Sequence, residues 1–268
     1  MMTYAKDQRI WRYMDLAKYL DLLRTESLYL SPISSFEDRW EGATGVYDLQ
    51  RDVSRFKGVF ENGTPDMDRR MAEGLEEAAA ADRDRVFVNC WHANDFESSA
   101  MWKLYGITGN SIAIESTIEE LAAVGSDEPE KQDLSTVMAV SYHDLLRTPL
   151  PHEDAFNLHA RYSYKRTSFD HEKEIRLIHY QLERAKDRPI RGLRFGADLS
   201  QLIERVVVSP DAAPWFKDVV SDVTAKYGFD FQVQESELNV KPTYGTGHYE
   251  FGAAPKWGAE GRSGKPVT

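Results

Sequence analysis

Cysteine is nearly absent. Cys90 stands alone among 268 residues, so neither an internal disulfide nor a cysteine-rich zinc cluster can form. Histidines lack metal spacing: His143, His152, His159, His171 and His179 are scattered, and no H-x-x-x-H pair occurs. No glycine fingerprint follows a strand-like segment, which argues against Rossmann and P-loop folds, and nucleophile-elbow and kinase signatures are missing. No apolar run approaches the ~18 residues of a membrane span, and Met1 to Tyr29 lacks the apolar core of a secretory signal. A cytoplasmic protein with no membrane contact is expected. Positive charge is also scarce, with 33 Lys+Arg against 44 Asp+Glu and a net charge of −11. General attraction to phosphate backbones or anionic lipid is therefore disfavoured, and nucleic acid would have to meet a local basic patch.

Apolar material for a core is present, since 41% of the residues are hydrophobic. The spacing predicts a strand at Trp11 to Met14, an Asp15 cap and a helix with Leu16, Tyr19, Leu20 and Leu23 on one stripe. Ser27 to Ser31 alternates as a second strand that Pro32 ends. Asp66 to Asp84 reads as a solvated helix, Val86 to Trp91 as a strand, and Glu97 to Tyr105 as a helix capped by Asn94 and Glu97. Ser116 and Thr117 precede Glu119 and Glu120 at capping-box spacing, which predicts a short helix over Ile118 to Val124. Further strands are expected at Ser111 to Glu115, Thr136 to Tyr142, Glu172 to Tyr180, Ile203 to Val208 and Phe229 to Val233, with a helix beginning at Ser209-Pro210-Asp211. Strands and helices intermix without a βαβ period, so the expected fold is α+β: one domain over residues 1–240 with a mixed sheet and several short helices. From Lys241 onward six glycines and three prolines fall within 28 residues, which reads as a Gly/Pro-rich tail over 241–268.

Two constellations can carry chemistry. In Glu172-Lys173-Glu174-Ile175-Arg176-Leu177, strand alternation would put Glu172, Glu174 and Arg176 on one face, with the two carboxylates about 7 Å apart, twice the ~3.3 Å rise per residue. Such a pair can touch different parts of one small ligand while Arg176 holds a carboxylate ionised. The bland reading is a solvated face. The second constellation is Cys90-Trp91-His92 with Glu97, Met101, Trp102 and Tyr105, where Trp102 and Tyr105 at i, i+3 can form an aromatic wall rimmed by titratable groups. The same spacing also suits core packing. Arg161, Tyr162, Tyr164, Lys165 and Arg166 make the one basic-aromatic patch, read as a solvated helix face.

In order along the chain, Trp11-Arg12-Tyr13, Leu28-Tyr29-Leu30-Ser31-Pro32, Ser35-Phe36-Glu37-Asp38, Glu41-Gly42, Cys90-Trp91, Met101-Trp102, Tyr105-Gly106, Ser111-Ile112-Ala113-Ile114, Lys165 and Glu172 to Leu177 resemble a bacterial family catalogued as domain of unknown function 2971. That resemblance marks a shared site and implies no activity. The order Arg12, Ser31 and Glu172-x-Glu174 is also similar to ADP-ribosyltransferase-like folds, although the Ser-Thr-Ser signature does not follow Leu30. This second resemblance implies NAD as the ligand, with Glu174 as the catalytic carboxylate, Glu172 its partner and Arg12 the pyrophosphate grip. Ser31, His92, Trp102 and Tyr105 would then help to bind NAD. It extends to transfer or hydrolysis of ADP-ribose, in a toxin or phage-defence setting. Two alternatives stay open. One is a metal-dependent phosphodiesterase or nuclease with Asp38, Glu41, Glu97, Glu172 or Glu174 as oxygen ligands. The other is a non-enzymatic small-molecule sensor or interaction module.

Overall fold

The computed structural model describes residues 4–43, 45, 47–48, 50, 53–54, 64–106, 109–124, 134–151, 159–182 and 192–242. Nearly all of the expected tail, 243–268, lies outside the described residues. In chain order the elements are β1 (Arg9–Asp15), α1 (Leu16–Thr25), β2 (Ser27–Pro32), α2 (Pro65–Asp82), β3 (Val86–Ala93), α3 (Ser99–Tyr105), β4 (Ser111–Thr117), α4 (Ile118–Ala123), β5 (Ser135–Ala139), β6 (Ser141–His143), β7 (Tyr164–Arg166), β8 (Glu174–Tyr180), β9 (Leu193–Gly196), α5 (Leu199–Leu202), β10 (Arg205–Val208), α6 (Phe216–Lys226) and β11 (Val233–Glu235). This is the expected α+β fold with a mixed sheet.

Local chemistry sets several of these boundaries. Asp15 accepts from the Lys18 N–H and starts α1, whose buried residues are Tyr19, Leu22 and Leu23. Thr117 and Glu120 form a reciprocal capping box at the start of α4. By contrast, α3 begins at Ser99 because Ser98, rather than Asn94, caps it. The chain after β10 turns at Ser209 and enters α6 only at Phe216, and the last strand starts at Val233.

Nine strands form one sheet in the order β11-β10-β4-β1-β3-β2-β9, with β8 on the far edge of β3 and β5 beyond β8; β6 and β7 pair separately. Alternation divides the side chains of β3 between two cores: Phe87, Trp91 and Ala93 join one cluster, and Val86 and Val88 the other. Strand β8, flanked by β3 and β5, is buried along its whole length. Glu174 and Arg176 are therefore interior groups and not a solvated face.

The sheet forks at β3. Strand β1 pairs with β3 only at Ile10↔Ala93 and Trp11↔His92, while β2 pairs with the same edge only at Ser31↔Val88 and Pro32↔Phe87. Between these contacts β1 and β2 diverge, and α1 bridges their separated ends. Asn89 sits in the fork, where its amide donates to the Tyr29 carbonyl at 2.9 Å and its carbonyl accepts from Trp91 Nε1 at 2.7 Å. Part of the missing ladder is thus replaced by a side chain.

Candidate active site

A cleft of about 960 Å³ opens at the fork. Its walls include Asn89 and Trp91 from one face of β3 and Cys90 and His92 from the other, so it passes through the split. Arg12, Ser31, His92, Tyr105, Glu172 and Glu174 all line it. Six of the seven residues singled out in the sequence for catalysis or ligand binding therefore converge on one concave surface.

Trp102 does not. It is 3% exposed, its ring meets Tyr13 edge-on at 4.8 Å, and its Nε1 donates to Glu97 at 2.9 Å. The helical spacing of Met101 and Trp102 is here core packing, as both are buried against Trp11 and Val207. Tyr105, at the exposed end of α3, remains the aromatic member of the wall.

Glu41, Lys165, Glu172 and Glu174 on the cleft wall belong to an ionic cluster completed by the buried Arg176. Lys165 Nζ donates to Glu172 at 2.5 Å and lies 3.2 Å from Glu41 and 3.5 Å from Glu174. Arg176 Nη2 lies 2.6 Å from both Glu41 and Glu174, and its Nη1 donates to the Tyr162 carbonyl at 2.8 Å. Three carboxylates thus share two cations, leaving one net negative charge in the cluster. Lys165 and Glu41, which the resemblance to domain of unknown function 2971 places in a shared site, are not among the catalytic or NAD-binding residues that the ADP-ribosyltransferase-like resemblance implies. The basic-aromatic segment that carries Lys165 is a short 3-10 turn followed by β7, with Tyr162, Tyr164 and Lys165 buried, and is not a solvated helix face.

Glu172 and Glu174 reach this cluster by a different route from strand alternation. β8 begins at Glu174, and Glu172 ends the preceding 3-10 turn. Between them Lys173 adopts φ 40°, a left-handed conformation that is costly for a side chain with a Cβ. The Lys173 carbonyl accepts from the Ala93 N–H at 2.9 Å, tying this kink to the end of β3.

The environments of the two carboxylates differ. Burial raises the Glu174 pKa, but Arg176 and Lys165 outweigh it and hold the group below the usual carboxylate range, with the Cys90 thiol donating to it. Glu172 is shifted upward, first by burial and next by the charge of Glu174, against the pull of Lys165. Cys90 is pushed well up by burial and by Glu174, which leaves its thiol an inert donor. Burial lowers the His92 pKa; its Nδ1–H donates to the Glu172 carbonyl at 2.6 Å, so the neutral ring keeps Nε2 as an acceptor. The Tyr105 pKa is raised by partial desolvation and then by the charges of Glu172 and Glu174.

Arg12 is of another kind. It is partly buried, its guanidinium forms no hydrogen bond or ion pair with any described residue, and burial draws its pKa down to about 10. Arg194, also on the cleft, is tied to Asp21 at 2.5 Å. The cleft therefore contains one desolvated guanidinium that lacks a counterion among the described residues, an arrangement suited to a bound anion.

Of the alternative metal ligands, Glu41, Glu172 and Glu174 do come together, but Lys165 and Arg176 sit among them where an ion would have to be. Asp38 is bridged to Arg166 at 2.9 Å, and Glu97 accepts from Trp102 and from Ser236 at 2.6 Å. Among the described residues no group of three or more His, Cys, Asp or Glu is arranged to hold a metal ion. No described helix is long and apolar enough to cross a membrane.

No family model matches the chain, so the resemblance to domain of unknown function 2971 is not met by a family match, and no curated protein matches it either. Among solved structures, Thermus sp. 2.9 DarT in complex with NAD+ is 12% identical, with 89% of this chain and 100% of that chain covered at a TM-score of 0.41. The same protein in complex with ADP-ribosylated ssDNA is 13% identical, with 90% and 99% covered at a TM-score of 0.41.

Proposed function

We propose that the cleft binds NAD and breaks its bond between nicotinamide and ribose, passing ADP-ribose to water or to another nucleophile. The observation that supports this reading is the pairing of opposites on one concave surface: Arg12, a cation with no described counterion, and Glu174, a carboxylate held ionised. NAD offers a pyrophosphate to the first and, as nicotinamide departs, a ribose bearing positive charge to the second.

Arg12 would grip the pyrophosphate through its guanidinium fork. Ser31 and His92 Nε2 would offer hydrogen bonds, and the ring of Tyr105 a stacking surface beside the carboxylates. Glu174 would stabilise the oxocarbenium-like ribose electrostatically. As the glycosidic bond breaks, its electron pair leaves with nicotinamide, which departs as a neutral molecule. Glu172 would take the proton from the attacking nucleophile, so that ADP-ribose joined to that nucleophile, nicotinamide and one proton are the products. Two neighbouring carboxylates with pKa values pushed in opposite directions suit this division between a permanent charge and a base.

A second reading draws on the full pairing of Glu174 by Arg176 and Lys165: a cleft that holds NAD without turning it over, as a sensor. Titrating the protein with NAD while following nicotinamide separates the two. Binding with steady nicotinamide release supports the enzyme, binding without release supports the sensor, and absence of binding removes both.

A further inference from the structure

The cleft is also lined by an aromatic ring that the reading above leaves unused. Tyr29, on β2, lines the cleft and is 40% exposed. Its position is fixed on three sides. Its hydroxyl accepts from the Gly192 N–H at 3.1 Å, and a Cβ built on Gly192 would fall 2.1 Å from the ring, so only glycine admits the ring there. Its backbone carbonyl is held by Asn89, and the Arg194 guanidinium lies over the ring 5.6 Å from its centre.

Arg194 is itself anchored, by Asp21 at 2.5 Å and by the hydroxyl of Thr25 at 3.0 Å. With its charge compensated and its plane set against an aromatic ring, it acts as part of a stacking platform and not as a second phosphate grip. A rigid aromatic surface in a cleft that also holds a guanidinium without a counterion is suited to a planar base joined to a phosphate.

We infer that Tyr29, backed by Arg194 and seated on Gly192, is the subsite for the purine end of the dinucleotide. The inference rests on the proposed binding of NAD and adds a direction to it: the adenosine half lies toward β2 and β9, the nicotinamide ribose toward Glu174.

The test is equilibrium binding of NAD, AMP and nicotinamide mononucleotide to the full chain and to two variants, Tyr29→Leu and Tyr29→Phe. Loss of one stacked base is worth about 1–3 kcal/mol. Tyr29→Leu should therefore weaken NAD and AMP about fivefold or more while leaving nicotinamide mononucleotide unchanged, which also shows that the variant is folded. Tyr29→Phe, which keeps the ring, should bind AMP within about threefold of wild type, short of the loss expected for a stacked base. Equal losses for AMP and nicotinamide mononucleotide, or NAD binding unaltered in Tyr29→Leu, overturn this assignment and leave the proposed function standing. Wild-type protein that binds none of the three ligands overturns both.

Discussion

Lys165 donates to Glu172 at 2.5 Å from the interior of the protein, and the pair forms the hub of a cluster that includes Glu41, Glu174 and Arg176. Removing one member leaves a buried charge without compensation, at a cost of about 3–5 kcal/mol. Lys165→Met should lower unfolding stability by that amount in urea titration. Adding Glu172→Gln should restore part of the loss, because the double variant returns the cluster to the one net negative charge of the wild type.

A second consequence concerns pH. Glu172 has a raised pKa, from burial and then from Glu174, and as a base it must be ionised to work. The acidic limb of the rate profile should therefore lie above the ordinary carboxylate range of about 4.3. Glu172→Gln should flatten that limb, which a series of initial rates across pH measures.

The stability profile has its own sign. Glu174, held low in the folded state, contributes stability above the unfolded value of about 4.3 that is lost as pH falls through its folded pKa. Glu172, raised, contributes stability below about 4.3 that is lost as pH climbs through its folded pKa. Urea midpoints for Glu174→Gln and Glu172→Gln should then differ from wild type in opposite pH regions.

Arg12 should show affinity and stability moving in opposite directions. Its guanidinium is desolvated and has no partner among the described residues. Arg12→Met should raise stability by about 1 kcal/mol, as is common when a strained functional group is removed. The same change should weaken NAD at least tenfold, the equivalent of about 1.4 kcal/mol of lost phosphate contact. Thermal melts with and without NAD read both effects.

Trp102 should behave as core. Trp102→Phe keeps the edge-on contact with Tyr13 but loses the bond to Glu97, a cost of about 1 kcal/mol, and should leave NAD affinity unchanged by calorimetry.

The parts legible in the sequence were those set by neighbouring residues. The Asp15 cap, the Thr117 and Glu120 box and the burial of Leu28 and Leu30 depend on short spacings, and each is present. Arg12, Ser31 and Glu174 could be placed in order but not in space, because their approach depends on a fork produced by partial strand pairing. Reading the basic-aromatic segment as a solvated face fails for Lys165 because burial of a charge depends on partners distant in sequence, and Glu41, paired with Lys165 and Arg176, lies 124 residues before Lys165. Trp102 and Tyr105 share one helical stripe, yet the end of α3 separates a core ring from an exposed one, a distinction that periodicity alone does not contain.

The most direct measurement of the central claim is the initial rate of nicotinamide release from NAD by wild-type protein and by Glu174→Gln under identical conditions. The account predicts release by wild type and a fall of at least 100-fold in the variant, the order expected for loss of an electrostatic stabiliser of the transition state. No release by wild type, or equal rates from the two proteins, would contradict it.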